Sequence, residues 1–408
     1  MTSRPLHAVQ FPPAAGHQLL GVLAAALDGS GPAILPLDPA LSRAALARVF
    51  GEFGPVVLHT PEGTARLDLP AAGPGVARGG IADDTAVVIA TSGSTGRPKA
   101  VELSAAALTA SATASLRRMG ASRQLRWLCC LPTFHIAGLG VLVRSLVTGT
   151  EPVFAAAVSP QVLAASDCSY VSLVPTQLRR LLDADTGPGP IQAALLGGAA
   201  PGDALLADAH RAGWRVITTY GMSETCGGCV YDSVPLDGVQ VRLADGLVEI
   251  AGPTLFTRYL GQPELTAAAR ADGWFRTADL GCWLPGGRLA IRGRADDVIN
   301  TGAEKVVAGE VEAVLGTAPG VADVVVVGLP DPEWGEAVTA IVIPANPTDP
   351  PDLTALRSHV RLAMSAYAAP RRVVVVSQFP LLPSGKPDRV AVRQLAQRQL
   401  AAPSAGTV

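Results

Sequence analysis

Residues Thr85 to Lys99 read TAVVIATSGSTGRPK, and this stretch decides the fold. Thr85 to Thr91 is a short β-branched apolar run bounded by turn residues, the pattern of a buried strand. Thr91 to Lys99 then carries two glycines, four hydroxyls and two cations. Glycine lets the backbone turn tightly and aim N–H groups inward, hydroxyls add donors, and Lys99 adds positive charge. Such a loop suits a polyphosphate. It is not a Walker A loop, because no Gly-Lys-Ser/Thr stands at the required spacing. The competing reading is a flexible polar surface loop. The spacing predicts a strand before the loop and a helix after it, capped by Ser104 and running through about Met119.

Outward from this segment the chain alternates. Strand-like runs recur at Trp127 to Leu131, Tyr170 to Val174, Ala193 to Leu196 and Val216 to Thr219, with helical stretches between several of them, which is an α/β pattern. Upstream, helical patterns fall near 17–27 and 40–50, and a strand at Pro55 to Leu58. The character changes near Gly286 to Arg294. A hairpin-like piece leads into Asp296-Asp297. Then come a helix (Glu310 to Leu315), two strands (Val321 to Val327 and Ala337 to Ile343), a helix (Leu353 to Met364) and a strand (Arg372 to Val376). The predicted fold class is α/β: a large N-terminal α/β domain with several sheets, residues 1–293, joined by a hinge to a small C-terminal α+β domain, residues 294–408.

The chain has 408 residues, 49% hydrophobic and 16% charged, enough to build a large core. The net charge of −2 argues against a nucleic-acid partner. No run approaches the ~18 apolar residues of a membrane span, and Leu19 to Leu27 lacks the flanks of a signal peptide. Six cysteines in a chain of this length do not make a disulfide framework. Cys129 and Cys130 read as buried strand residues. Cys226 and Cys229 have CxxC spacing without a second ligand pair, so a metal site is not expected there. The expected compartment is a reducing cytoplasm. Of 32 basic residues only Lys99, Lys305 and Lys386 are lysine, and all three fall in motif-like segments.

TSGSTGRPK resembles the phosphate loop of the adenylate-forming superfamily, which includes acyl-CoA synthetases, peptide-synthetase adenylation domains and luciferases. Five further segments follow in that family's order. Gly197-Gly198-Ala199-Ala200-Pro201 resembles its adenine-pocket turn and Tyr220 to Thr225 (YGMSET) its YGxTE signature. Gly273 to Asp279 (GWFRTAD) resembles GWxxTGD, Gly293 to Asp297 (GRADD) the GRxDD hinge, and Pro383 to Arg389 (PSGKPDR) the C-terminal SGK motif. Six segments in order, spanning 91 to 389, are specific. The resemblance implies ATP, Mg²⁺ and coenzyme A. Thr91, Ser92, Gly93, Ser94, Thr95, Gly96 and Lys99 would cradle phosphates, with Gly198, Ala199 and Tyr220 at the adenine. Asp279 would accept the ribose hydroxyls, with Arg294 near ribose or phosphate. Glu224 would meet the metal, a hard cation suited to a carboxylate. Thr225 would donate to the α-phosphate, and Lys386 would stabilise charge in adenylation. Asp296 would be the hinge, with Lys305 on the coenzyme A side. Each residue also has an ordinary reading, as core aromatic, turn aspartate or surface charge. One segment departs from the family: Gly302-Ala303-Glu304-Lys305-Val306 replaces Gly-Gly-Glu-Asn-Ile, and Ala308 stands at a proline position. The departure bears on the thiol acceptor rather than on adenylation.

The stretch Leu131 to Leu139 (LPTFHIAGL), with Arg144 nine residues after His135, is most similar to the o-succinylbenzoate–CoA ligase group of menaquinone biosynthesis, actinobacterial type. Ser172 to Gln177 (SLVPTQ) points the same way. His135, Thr176 and Gly197 would then face the acyl group, and Arg144 would offer a bidentate fork to the second carboxylate of a dicarboxylic acid. Equally open for Arg144 is a helix position exiting to solvent. Other small acids, a nucleotide-binding module without catalysis, and an ADP-releasing phosphotransferase stand as alternatives. The sequence leaves monomer and homodimer open.

Overall fold

The computed structural model describes residues 4–66, 80–91, 99–121, 124–382 and 386–401. Ser92, Gly93, Ser94, Thr95 and Gly96 lie outside the described residues, as do Pro383 to Gly385. The chain forms two compact units. One holds residues 1–200, 208–242 and 249–276; the other holds 201–207, 243–248 and 277–408.

The first unit contains two seven-stranded sheets. In the first, Leu6–Val9 pairs in parallel with Ala33–Pro36 and with Val57–Thr60, and Ala33–Pro36 pairs in parallel with Thr85–Thr91. Parallel strands of this kind are covered on both faces and read as continuous apolar runs, and Ala86 to Ile89 are buried accordingly. Helices Gly16–Asp28 and Arg43–Phe53 match the patterns near 17–27 and 40–50, and Ser42 Oγ caps the second by accepting from Ala45 N. The helix capped by Ser104 stands as read, but a strand that was not read separates it from the glycine-rich loop. Lys99–Ser104 is a strand, antiparallel to Thr85–Thr91 with Thr91 opposite Lys99. The helix begins only at Ala105, where Ser104 Oγ accepts from Ala107 N, and it runs to Met119. The loop is therefore the connection of a hairpin and does not open on a helix N-terminus. The strand was missed because Ala100, Val101 and Leu103 are buried around a buried Glu102, a polar residue in mid-strand. Its carboxylate accepts from Thr85 Oγ1 and Arg258 Nε, both at 2.8 Å.

The second sheet is ordered Val234–Pro235, Gly227–Tyr231, Val216–Met222, Ala193–Leu196, Tyr170–Leu173, Trp127–Cys129, Val153–Phe154. Its last five strands are parallel. Parallel neighbours require crossovers; among them, Ile136–Thr148 joins Trp127–Cys129 to Val153–Phe154, and Pro175–Asp183 joins Tyr170–Leu173 to Ala193–Leu196. Each crossover leaves from a strand's carboxyl end, so the residues after those ends collect along one edge of the sheet. Ligands of open α/β sheets bind outside that edge.

In the second unit, Gly335–Pro344 lies beside Val321–Asp331 in antiparallel register and beside Arg372–Val375 in parallel. Alternate valines of 324–327 explain its layers. Val324 and Val326 pack with Val311 and Leu315 of helix Ala308–Leu315 and with Leu356 and Val360 of helix Leu353–Ala363. Val325 and Val327 pack on the opposite face with Val392 and Ala396 of helix Arg389–Ala401. Side chains alternate across a strand, so a run apolar at every position is one covered on both faces.

Candidate active site

The first unit places His135, Thr176, Gly197 and Tyr220 after, or at the end of, neighbouring parallel strands of the second sheet. The loop Cys130 to His135 folds back on the first turn of helix Ile136–Thr148. A Cβ on Gly138 would lie 2.3 Å from Pro132 O, so only glycine permits this approach. His135 occupies the N-cap, half-buried, its ring 4.6 Å from that of Phe134.

Arg144, two and a half turns further along, does not exit to solvent. It is buried at 8% exposure. Its side chain leans back toward the helix N-terminus, as helical side chains do: a Cβ on Gly140 would lie 3.3 Å from Arg144 Nη1. Nη2 donates to Ser172 Oγ at 3.1 Å, and the guanidinium lies over the Trp127 ring at 4.2 Å. Nε has no hydrogen-bond partner, and no Asp or Glu pairs with this arginine among the described residues. Burial lowers its pKa, while Tyr231 and Cys129 act in the opposite direction. Burial also pushes the neighbouring thiols Cys129 and Cys130 up to about 12, so neither is a nucleophile near neutral pH. Cys226 and Cys229 are buried thiols as well, Cys226 raised by burial.

Strand Val216–Met222 carries a bulge at Tyr220/Gly221 against Gly227–Tyr231. The bulge turns the chain into the 3₁₀ turn Ser223–Thr225. Gly197 lies against Thr219, whose Oγ1 would be 2.3 Å from a Cβ there, and Gly198 has φ +88°, a left-handed backbone. Thr225 is buried, and its hydroxyl accepts from Met222 N at 2.9 Å and donates to Gly227 O at 2.7 Å. Donation to a phosphate would require that local bond to break. Glu224 is half-buried; its Oε1 accepts from Tyr259 Oη at 2.8 Å. Burial and Glu224 together raise the Tyr259 pKa, so the phenol keeps its proton. Among the described residues no group of three or more His, Cys, Asp or Glu could enclose a metal. One accessible carboxylate suits Mg²⁺ that arrives on phosphates and keeps its waters.

Thr91 and Lys99 bracket the glycine-rich loop as a register pair, and Lys99 Nζ lies 5.4 Å from the Tyr259 ring centroid. Tyr259 was not among the residues singled out from sequence. Its signal was slight: an aromatic with a polar tip in the largely apolar GPTLFTRYL stretch.

Within the second unit, Asp279 and Arg294 are register partners on strands Trp274–Leu284 and Arg288–Arg294. Asp279 is buried and its Oδ1 lies 3.3 Å from Arg294 Nη1; Arg294 Nη2 donates to Asp296 Oδ2 at 2.9 Å. Asp296 sits in the 3₁₀ turn Ala295–Asp297. Lys386 is solvent-exposed, yet protein atoms crowd its ammonium. Desolvation lowers its pKa, Asp279 raises it and Arg294 lowers it further. Arg389, three residues on, pairs with Asp297 at 3.2 Å and with Glu312. Lys305 is exposed on strand Glu304–Val307.

These features define an AMP-binding enzyme: the chain matches that family over residues 19–248 and the AMP-binding enzyme C-terminal domain over 310–386, and it belongs to this adenylate-forming family. It is 42% identical over 375 residues to a probable 2-succinylbenzoate–CoA ligase of Mycobacterium tuberculosis, covering 88% of this chain and 96% of that protein. With the 2-succinylbenzoate–CoA ligase of Listeria monocytogenes it shares 30% identity over 329 residues, 76% of this chain and 70% of the relative. The o-succinylbenzoate CoA synthetase of Bacillus subtilis, solved with its acyl-adenylate intermediate OSB-AMP, superposes with a TM-score of 0.80 at 25% identity, covering 100% of this chain and 90% of that one. The fold is that of the same family: a large N-terminal α/β domain and a smaller C-terminal domain.

Proposed function

We propose that this adenylate-forming enzyme couples o-succinylbenzoate to coenzyme A. The observation that carries the reading is the buried guanidinium of Arg144, on the helix that His135 caps, with no carboxylate partner among the described residues. A buried cation without a counter-charge is costly. A dicarboxylic substrate supplies that charge with its second carboxylate, in the bidentate geometry that arginine favours. The relatives named above act on this acid by name, and the Bacillus subtilis enzyme has also been solved with ATP and magnesium.

The chemistry follows from the leaving group. A carboxylate is a poor electrophile because oxide would have to depart. One substrate oxygen attacks the α-phosphorus of ATP, the bond to the β-phosphate oxygen breaks, and pyrophosphate leaves. The resulting mixed anhydride is attacked at carbon by the thiol of coenzyme A; the thioester forms, AMP leaves, and the thiol proton goes to solvent. In this reading Ser92 to Gly96, Thr91 and Lys99 hold phosphates, and Gly198, Ala199 and Tyr220 flank adenine. Asp279 and Arg294 meet the ribose. His135, Thr176 and Gly197 line the acyl group. Glu224 would hold Mg²⁺, which would supply charge neutralisation to the phosphates. Thr225 reaches the α-phosphate by giving up its bond to Gly227 O. Lys386 serves the first step. Asp296 is the pivot between a domain of residues 1–293 and one of 294–408, and the reaction takes place in the cytoplasm.

The test is pyrophosphate release over a panel of aromatic and aliphatic mono- and dicarboxylic acids, with and without coenzyme A. Release with o-succinylbenzoate before coenzyme A is added, followed by thioester and AMP on its addition, is the expected result. Preference for a monocarboxylic acid would remove the dicarboxylate assignment, and ADP as product would remove adenylation.

A further inference from the structure

Tyr259 stands where the two sheets of the first unit meet, and nothing in the reaction scheme above employs it. It is 3% exposed and belongs to the two-residue strand Arg258–Tyr259, which pairs with Val101 and Glu102 of the strand that leaves the phosphate loop. Three bonds fix its backbone: Tyr259 N donates to Thr266 Oγ1 at 3.0 Å, Leu260 N to Ala100 O at 2.8 Å, and Thr257 N to Glu102 O at 2.8 Å. Arg258 is anchored on the fully buried Glu102. From this fixed position the phenol reaches the second sheet's 3₁₀ turn and donates to Glu224 Oε1 at 2.8 Å, while Phe256 N donates to Glu224 O at 2.8 Å. Its ring meanwhile carries the ammonium of Lys99, the residue that ends the phosphate loop.

We propose that Tyr259 is a positioning residue for adenylation: its hydroxyl holds one oxygen of Glu224 so that the other faces the metal–nucleotide, and its ring seats Lys99. The inference rests on the reading of Glu224 as the residue that meets magnesium. Its physical basis is that a carboxylate with both oxygens loose must lose rotamer freedom on binding a metal, whereas one already held by a donor has lost it on folding. A phenol donor is suited to the task because it satisfies one oxygen and cannot displace the cation from the other. One ring thereby sets the distance between the end of the phosphate loop and the metal-facing carboxylate, which belong to different sheets.

Calorimetry with the full-length protein, without acid or coenzyme A, separates the two contributions. Tyr259→Phe keeps the ring and deletes the donor. It is expected to bind metal-free ATP as the wild type does and to bind Mg·ATP ~10-fold or more weakly, the usual cost of losing a ligand's supporting hydrogen bond. Tyr259→Leu is expected to weaken metal-free ATP binding as well, because Lys99 loses its seat. Melting temperatures identify any variant that is merely unfolded. The double variant Glu224→Gln/Tyr259→Phe is expected to bind Mg·ATP no worse than Glu224→Gln alone. Additive losses overturn the proposal, as does equal loss for Tyr259→Phe with and without magnesium. If Tyr259→Phe leaves Mg·ATP affinity unchanged while Glu224→Gln lowers it, the positioning role fails and the metal reading stands. If Glu224→Gln also leaves it unchanged, both fail.

Discussion

Arg144 lies with its guanidinium carbon 4.2 Å from the centroid of the Trp127 ring, and both residues are buried. Cation–π attraction and one bond to Ser172 Oγ are the favourable contacts seen for a charge that burial disfavours. Replacing a buried charge by an apolar side chain of similar volume is often neutral or stabilising. Arg144→Met is therefore expected to keep or raise the melting temperature while raising KM for o-succinylbenzoate at least ~10-fold, the scale of a lost charge-assisted bond. KM for a monocarboxylic acid of similar shape should move little. A lower melting temperature with unchanged KM would assign Arg144 to packing alone.

The bulge that delivers Glu224 depends on glycine. A Cβ on Gly221 would lie 2.0 Å from Gly227 O, a backbone atom that cannot rotate away. Gly221→Ala is expected to destabilise by ~1–3 kcal/mol, the usual range for forced overpacking, and to slow pyrophosphate release through the displaced turn. Gly51→Ala is the contrasting case. It lies in helix Arg43–Phe53 with nothing within 4 Å of the added Cβ, and gains up to ~1 kcal/mol of helix propensity. Denaturant titration of the two variants should move the midpoints in opposite directions; movement in the same direction contradicts the packing argument.

The parts of this architecture legible in the sequence are those where a local rule and the tertiary context agree. Ser104 reads as an N-cap and is one; the valine run 324–327 reads as a buried strand and is one. The hairpin of the phosphate loop was not legible, because the strand Lys99–Ser104 carries Glu102 at its centre, and that charge is satisfied by Arg258, 156 residues away. The Tyr259–Glu224 bond was hidden for the same reason: it joins residues 35 apart across two sheets. Arg144 fell between the two cases. Its spacing from His135 was visible, but its burial depends on a helix leaning onto the Trp127 strand, and periodicity does not reveal which side of a mostly apolar helix faces inward.

Lys386 gives a prediction in pH. Its ammonium has a pKa below the ordinary lysine value because protein atoms desolvate it and Arg294 repels it, in part offset by Asp279. Adenylation requires the protonated form in the proposed role, so pyrophosphate release should fall as pH rises through this lowered value, before the range where a free lysine titrates. The alkaline limb should move upward in Lys386→Arg, whose guanidinium stays charged. Lys386→Ala should nearly abolish pyrophosphate release and largely spare thioester formation from pre-made acyl-adenylate. Equal loss of both half-reactions contradicts the role.

The pair His7 and His59 gives a prediction about stability. They sit on neighbouring parallel strands, Leu6–Val9 and Val57–Thr60, with Nδ1 of His7 2.7 Å from Nε2 of His59. Thr64 Oγ1 lies 3.0 Å from His59 Nδ1. Such a bond needs one ring nitrogen to donate and the other to accept, so two imidazolium rings cannot keep it. Burial lowers both pKa values, and for His7 the charge on His59 adds to the effect. The sign follows by linkage. Above the unfolded value of 6.5 both states are neutral and the pair adds no pH dependence. As pH falls through that value the unfolded chain takes up protons that the folded chain resists, so stability is lost until pH passes below the folded values, where the loss is complete. Thermal unfolding at pH 7 and pH 5 should therefore show a drop for the wild type that is smaller for His59→Gln, a variant that offers an uncharged polar group in place of the ring. The difference between the two proteins isolates this pair from the carboxylates that titrate lower. A drop of the same size in both would show that the rings take their protons as readily in the folded sheet as in the unfolded chain.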